Sequence, residues 1–311
     1  MPLSLRQLRY FAQIAKSGVM AHAAEDLGVA QSALSHHVAE LEVLLGVKLF
    51  DRKPRGVALT AAGERLYQHA AAIIASLDKA EADVRGFTET ASGPIRLGLC
   101  HTAIGLLSFP IMQRCISDLP GVFLNMTEGG SGQLIARLER GELDMVVGYN
   151  PPDDSRFSTL PLLEEQMYLI GTRDIIGAED GPIAFARIPR GKVIGLNTVR
   201  ASRAIINSHL LRRQIEPSPH LELDSLTAIV KAMRAGFGCS ILARATVRDE
   251  LASGNLHARQ IVDPVLKRGL FLISPADTAK TQAENAIRDL VIQSVRTALS
   301  DGSWPGRSLM P

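Results

Sequence analysis

Two adjacent histidines, His36 and His37, stand inside "QSALSHHVAELEVLLGVKLFDRKPRGVALT" at residues 31–60, and paired imidazoles invite a metal or proton-transfer reading. Their spacing argues against it. Each helical residue advances about 100°, so with Leu34 at zero, Val38, Leu41 and Leu45 fall within about 40° of it and form a buried stripe. His36 then lies at about 200°, beside Ser32 and Ser35 on the outward face, and His37 at about 300° on the flank, so the two rings are expected to face different targets. A helical zinc pair needs i and i+4 ligands, and only Glu40 stands four residues from His36, so no metal is expected. The outward face instead gathers Gln31, Ser32, Ser35 and His36 near a helix start, short donors and acceptors suited to base edges in a DNA major groove. The cations that follow, Lys48, Arg52, Lys53 and Arg55, would add a phosphate attraction that depends on salt and not on sequence.

Other chemistry finds little support. No GxSxG, phosphate-cradling glycine loop or HExxH occurs, and Cys100 and His101 are adjacent where a nucleophile and base must oppose each other. The three cysteines, Cys100, Cys115 and Cys239, are far apart without CxxC spacing and are expected to be buried small hydrophobes. No cofactor is expected. There is no apolar run of about 18 residues that could cross a bilayer, nor a signal-peptide pattern at the N-terminus, so a cytoplasmic location without membrane contact is expected. The competing class, a small-molecule enzyme or a transport-type binding protein, would need convergent acid and base groups or an export signal.

Three short helices with tight joints must carry the candidate DNA face. Leu5, Leu8, Phe11 and Ile14 mark the first, Ala23, Ala24 and Leu27 the second, and the stripe from Leu34 to Leu45 the third, with Gly18, Gly28 and Gly46 between and after them. Gly28 permits the sharp crossing of a helix-turn-helix. The cationic stretch around Pro54 reads as a wing. Thr60 opens a long helix on which Leu66, Ala70, Ile73, Leu77, Ala80, Val84 and Phe87 form a heptad seam, read as an intermolecular helix pair. Ala91, Ser92, Gly93 and Pro94 read as a hinge. Strand and helix signals then alternate to about residue 299, which predicts a parallel-rich sheet with helices on both faces, arranged as two α/β lobes. Ligands of such sheets lie beyond the carboxyl ends of strands. The loops at 100–104, 128–132, 148–150 and 197–203 are therefore the expected cleft, with Cys100, His101, Thr102, Gly129, Ser131, Tyr149, Thr198, Arg200 and Arg203 as candidate contacts. Arg200 and Arg203 make a small carboxylate or other anion a candidate ligand. The tail at 301–311, rich in turn formers and holding the single tryptophan, is expected to be mobile.

From Leu5 to Gly63, "LRYFAQIAKSG", "AAEDLGVAQSALSHHVAELEVLLGVKLFDR" and "RGVALTAAGE" resemble the LysR-type transcriptional regulators, and the following alternation resembles that family's effector region. The resemblance implies an α+β multi-domain chain: a winged helix-turn-helix (1–60), a dimerising linker helix (61–90), a hinge (91–94), and a two-lobed domain of the type II periplasmic-binding fold (95–300). Lobe I would take about 95–162 and 268–300, and lobe II about 163–267. It further implies a sequence-specific regulator that binds double-stranded operator DNA as a homodimer or homotetramer, responds to a small-molecule inducer between the lobes, and has RNA polymerase as a further candidate partner. Gln31, Ser32, Ser35 and His36 match the family's base-facing positions, and Arg52 and Arg55 its wing. Ser32 stands where proline is frequent, Ala21 where a Ser or Thr caps the second helix, and His36 where Arg is common. "GLCHTAIG" resembles the effector loop after the first strand, with Thr102 matching, and "RAGFGCSILA" a glycine-rich turn in which Ala243 replaces proline. Some members sense oxidants through a cysteine pair in lobe II; here only Cys239 falls there.

Overall fold

The computed structural model describes residues 3–54, 56–85, 91–189, 191–196, 222–223, 225–276 and 279–311. The chain divides into two compact units, residues 1–90 with 136–143, and residues 91–135 with 144–311.

In the first unit, α1 (Leu5–Ser17), α2 (Met20–Asp26) and α3 (Gln31–Leu45) enclose a core that includes Leu8, Phe11, Ile14, Ala23, Leu34, Val38 and Leu41. Their apolar spacing of three and four residues puts these side chains on one stripe of each helix. Ser4 and Gln7 close a reciprocal capping box at the start of α1. Val19 is the N-cap of α2, so Ala21 lies within the helix and is not its cap. The expected wing is present as β1 (Phe50–Lys53) and β2 (Gly56–Leu59), paired antiparallel from Phe50 with Leu59 to Lys53 with Gly56. It rests on the α1–α2 joint, where the Val57 amide donates to the Gly18 carbonyl at 2.8 Å.

The linker helix α4 (Ala61–Arg85) is capped by Thr60, whose Oγ1 accepts from the Gly63 amide at 3.0 Å and donates to the Lys48 carbonyl at 2.7 Å. Its seam divides. Leu66 and Ala70 pack with Leu8, Phe11 and Leu41 in the core of their own unit, whereas Ile73 and Val84 are 47% and 72% exposed. Phe87 lies outside the described residues.

The second unit begins with β3 (Ser92–Cys100), which pairs in parallel with β4 (Gly121–Gly129) from its first residue, Ser92 with Gly121. The hinge expected at 91–94 is thereby corrected: its last three residues are strand, because a parallel ladder satisfies the amides that a hinge would leave to solvent. One six-stranded sheet has the order β14-β6-β13-β5-β3-β4, with β5 (Met145–Tyr149), β6 (Phe157–Gln166), β13 (Lys267–Pro275) and β14 (Arg307–Ser308). Helices α5 (His101–Asp118), α6 (Ser131–Glu139) and the last helix, α10 (Gln282–Ser300), accompany it. Leu97, Leu99, Leu107, Ile111, Ile287, Val291 and Val295 form its core.

A four-stranded sheet of order β11-β7-β12-β8 builds the other lobe from β7 (Tyr168–Gly171), β8 (Ile183–Ala184), β11 (Ser240–Leu242) and β12 (His257–Val262). Short α7 (Arg173–Ile176), α8 (Leu226–Arg234) and α9 (Arg248–Ala252) flank it, and β9 (Gly195–Leu196) pairs in parallel with β10 (Glu222–Leu223). Alternate β7 residues serve different clusters, Leu169 packing with Phe185 and Ile261, and Ile170 with Ile229 and Met233, so both faces of the sheet are covered.

Three expectations change. The sheets are mixed, not parallel-rich: β13 runs antiparallel to β5 and β6, and β7 antiparallel to β11 and β12. Strand β6 carries lobe I through Gln166, past the boundary expected at 162. The tail at 301–311 is folded, not mobile, because Trp304 is fully buried in the lobe I core and β14 pairs with β6 through Arg307–Glu164 and Ser308–Leu163.

Candidate nucleic-acid face and ligand cleft

On α3 the buried stripe is Leu34, Val38 and Leu41, whereas Leu45, expected to continue it, is exposed; Gln31, Ser32, Ser35 and His36 are exposed opposite the stripe. Gly28, at φ 64°, turns the chain from α2 into α3 as the joint requires. No side chain caps α3, so its first amides stay open to an external acceptor. Arg52 and Lys53 are exposed on β1; Arg55 lies outside the described residues. The two histidines separate only in part. His37 is half-buried, its ring 5.2 Å from that of Tyr10 on α1, and His36 is exposed. Yet both reach one carboxylate: His36 Nε2 lies 3.3 Å from Glu40 Oε1 and His37 Nδ1 3.2 Å from Glu40 Oε2. This corrects the expectation of different targets, since Glu40, at about 240° on the helical wheel, falls between the two rings. Among the described residues, no group of three or more potential metal ligands comes together.

Glu42, one residue past the stripe, joins α3 to the wing. Its carboxylate accepts from the amides of Leu49, at 2.8 Å, and Phe50, and pairs with the Lys48 ammonium. Burial acts to raise its pKa, but Lys48 and the two amides outweigh that and hold it below the usual glutamate value.

In the second unit the ends of three adjacent parallel strands converge. Cys100 pairs with Gly129 and Leu99 with Val147, which sets the loops after β3, β4 and β5 side by side. Thr102 Oγ1 shares a hydrogen bond of 2.9 Å with Thr246 Oγ1 and accepts from Arg268 Nη2 at 3.2 Å. His101 Nδ1 lies 2.8 Å from Glu128 Oε1, and the Tyr149 amide donates to Ser131 Oγ at 3.0 Å. The structure thus brings Cys100, His101, Thr102, Gly129, Ser131 and Tyr149 together; Thr198, Arg200 and Arg203 lie outside the described residues.

Three of the six, Cys100, Thr102 and Tyr149, are buried and differ from the expectation of groups offered to a ligand, the Thr102 hydroxyl being taken up by Thr246 and Arg268. The Cys100 thiol is buried, and burial pushes its pKa up to about 11. Tyr149 packs in the core, burial raises its pKa well above the usual range, and its hydroxyl donates to Glu165 Oε1 at 2.7 Å. Beneath the strand ends lies a network that no local motif announces. Glu165 is 1% exposed and accepts from Tyr149, from Arg268 Nε at 2.7 Å and from Trp304 Nε1 at 2.7 Å. The Arg268 guanidinium carbon stands 3.7 Å from the Tyr149 ring centroid. Burial acts to lower the pKa of Arg268, but Tyr149 and Glu165 outweigh it, so the charge is kept.

The family comparison coincides with this division. Residues 5–64 match a bacterial regulatory helix-turn-helix family of the lysR type, and residues 88–296 match the LysR substrate binding domain. The chain belongs to the LysR family. It is 30% identical over 298 residues to the nitrogen assimilation regulatory protein nac of Klebsiella aerogenes, covering 94% of this chain and 95% of the relative. Full-length OxyR from Pseudomonas aeruginosa, solved as a point mutant, shares the fold at TM-score 0.68 and 23% identity, covering 95% of each chain. Full-length CbnR complexed with its target DNA does so at TM-score 0.62 and 22% identity, covering 95% of this chain and all of that one. This LysR regulator is therefore a DNA-binding transcriptional regulator with an effector-binding domain, and not an enzyme. Among the described residues no helix is long and apolar enough to cross a membrane.

Proposed function

We propose that the regulator reads its operator with Gln31, Ser32, Ser35 and His36 of α3, while Arg52, Lys53 and Arg55 hold the phosphate backbone. The observation that carries this reading is the opposition of faces on α3: Leu34 is fully buried while the four polar residues are exposed and followed by a cationic hairpin. Open amides at the start of α3 add a phosphate acceptor site. The effector is assigned to the cleft at the strand ends, with His101, Thr102, Gly129 and Ser131 as contacts, Cys100 and Tyr149 as their support, and, on the sequence reading alone, Thr198, Arg200 and Arg203. A small carboxylate or other anion fits that residue set. The domain limits proposed are 1–60, 61–90 and, with the tail included, 91–311, the lobes meeting near residue 166. Assembly as a homodimer or tetramer is supported by the exposed half of the α4 seam and by the apolar residues Phe109, Ile116 and Phe123 left open on α5 and β4.

The test compares two single variants by operator binding at several salt concentrations. His36→Ala is expected to lose about 1–3 kcal/mol of discrimination between operator and unrelated DNA, with the salt slope unchanged. Arg52→Ala is expected to weaken both DNAs alike and to reduce the salt slope by about 1. Identical behaviour of the two variants refutes the assigned roles.

A further inference from the structure

We propose a second small-molecule site in the effector domain, a cavity of about 270 Å³ that takes a small amphiphilic carboxylate. One wall is Arg244, Arg248, Leu251 and Ala252; the other is Ser303 and Pro305 of the C-terminal turn. None of the residues assigned to the cleft lines it. The cavity exists only because residues 301–311 are folded against lobe I.

Its chemistry is that of two cations over an apolar floor. Arg244 makes no ion pair among the described residues; its guanidinium lies 5.6 Å from the Tyr168 ring centroid, a contact that orients the charge and leaves it uncompensated. Among the described residues Arg248 pairs with Asp249, at 3.5 Å with that carboxylate 93% exposed, and Asp301, whose pKa is lowered chiefly by its hydrogen bonds with Ser303, feels the Arg248 charge more weakly. A carboxylate entering the cavity would gain charge-assisted hydrogen bonds from Arg244 or Arg248 in its wall, and its hydrocarbon part would meet Leu251, Ala252 and Pro305. The volume lies just under the usual range of ligand pockets, which limits the occupant to about one ring or a short chain.

Both walls lead to Thr102. Arg244 opens the short 3-10 turn Arg244–Val247, whose Thr246 bonds Thr102. Trp304, between Ser303 and Pro305, donates to Glu165, which holds Arg268, which donates to Thr102. A molecule wedged in the cavity therefore bears on two arms that meet at one hydroxyl. That consequence rests on the cleft reading given above; the site itself does not.

Trp304 is the single tryptophan of the chain, so its emission reports on this wall without a label. The full-length protein is titrated with phenylacetate and, separately, with inorganic phosphate. Phenylacetate is expected to give a saturable change in Trp304 emission with half-saturation below about 1 mM. The affinity should fall about tenfold or more in Arg244→Ala and in Arg248→Ala, remain in Ser131→Ala, and be absent for phosphate, which has no apolar part. Arg248 is exposed, so its variant keeps the fold, as circular dichroism would verify. The proposal is overturned by the lack of a saturable change up to about 10 mM, by unaltered affinity in both arginine variants, or by a phosphate response of equal strength. Loss of the signal in Ser131→Ala with retention in the arginine variants overturns it equally, by moving the anion to the cleft.

Discussion

Replacing Trp304 with Phe decides whether the C-terminal turn is part of the effector domain or an appendage to it. The indole Nε1 donates to Glu165 Oε2 at 2.7 Å, with Trp304 fully buried and Glu165 1% exposed. A hydrogen bond to a charged acceptor contributes about 1.5–3 kcal/mol. Contracting an indole to a phenyl ring in a packed core costs a further ~1 kcal/mol. Trp304→Phe should therefore destabilise this domain by about 2.5–4 kcal/mol, and its melting temperature should fall by about 5–15 °C for a unit of this size. Because the chain has two units, the transition is best followed in urea by circular dichroism, with the effector domain resolved from the DNA-binding unit. Glu165→Gln is expected to cost about 3–5 kcal/mol, since it leaves the Arg268 charge without its partner. The double variant should fall short of the sum by at least about 1 kcal/mol, because each change removes the same bond. A Trp304→Phe protein within about 0.5 kcal/mol of the parent, or strict additivity, would refute the role given to the tail.

Three further outcomes follow from the same contacts. Burial pushes Cys100 up to about 11 and Cys239 up to about 12, so at neutral pH both thiols should stay unmodified by iodoacetamide in the folded protein and react after denaturation, as read by mass spectrometry. Rapid alkylation of either in the native state would contradict their burial. Glu42 has a lowered pKa, so its stabilising effect is present above the ordinary glutamate value and lost as pH falls through the still lower folded value. The stability difference between the parent and Glu42→Gln should be constant at neutral pH and shrink in acid below about pH 4.5; a difference that grows on acidification would invert the sign argued here. At Gly56, with φ 144°, an added Cβ would meet the Gly18 carbonyl oxygen at 2.2 Å, so Gly56→Ala should displace the wing from the α1–α2 joint. Its DNA affinity should fall for all sequences alike, and unchanged binding would show that the wing is not held at that point.

What could be read from the residues in advance was what depends on neighbours along the chain. The α3 face follows from a 3.6-residue period, and Leu34, Val38 and Leu41 are buried where the angles put them. The two histidines show the limit of that argument. The angle fixes where each side chain starts, but a glutamate three and four residues on is long enough to meet both. Strand direction has no local signal at all. Strand β13 runs antiparallel beside β5 because of pairings more than one hundred residues apart in the chain, such as Leu270 with Tyr149. Strand β6 carries Pro161 within its run, a residue that weakens a local strand signal. The tail misled for the reverse reason: its glycine, proline and serine residues describe a turn, and the partner that orders Trp304 is Glu165, 139 positions away.

The buried network also sets a condition on any effector. Glu165 has three donors, and a carboxylate so enclosed is satisfied only while Tyr149, Arg268 and Trp304 keep their places, because each donor withdrawn leaves a desolvated charge. Arg268 spends its second donating nitrogen on Thr102, and Thr102 in turn holds Thr246 of the opposite lobe. A ligand that takes the Thr102 hydroxyl must replace both of those bonds or release the lobe contact, so there is little room for intermediate arrangements. On the cleft reading proposed above, occupancy at that one hydroxyl would therefore act directly on the bond between Thr102 and Thr246.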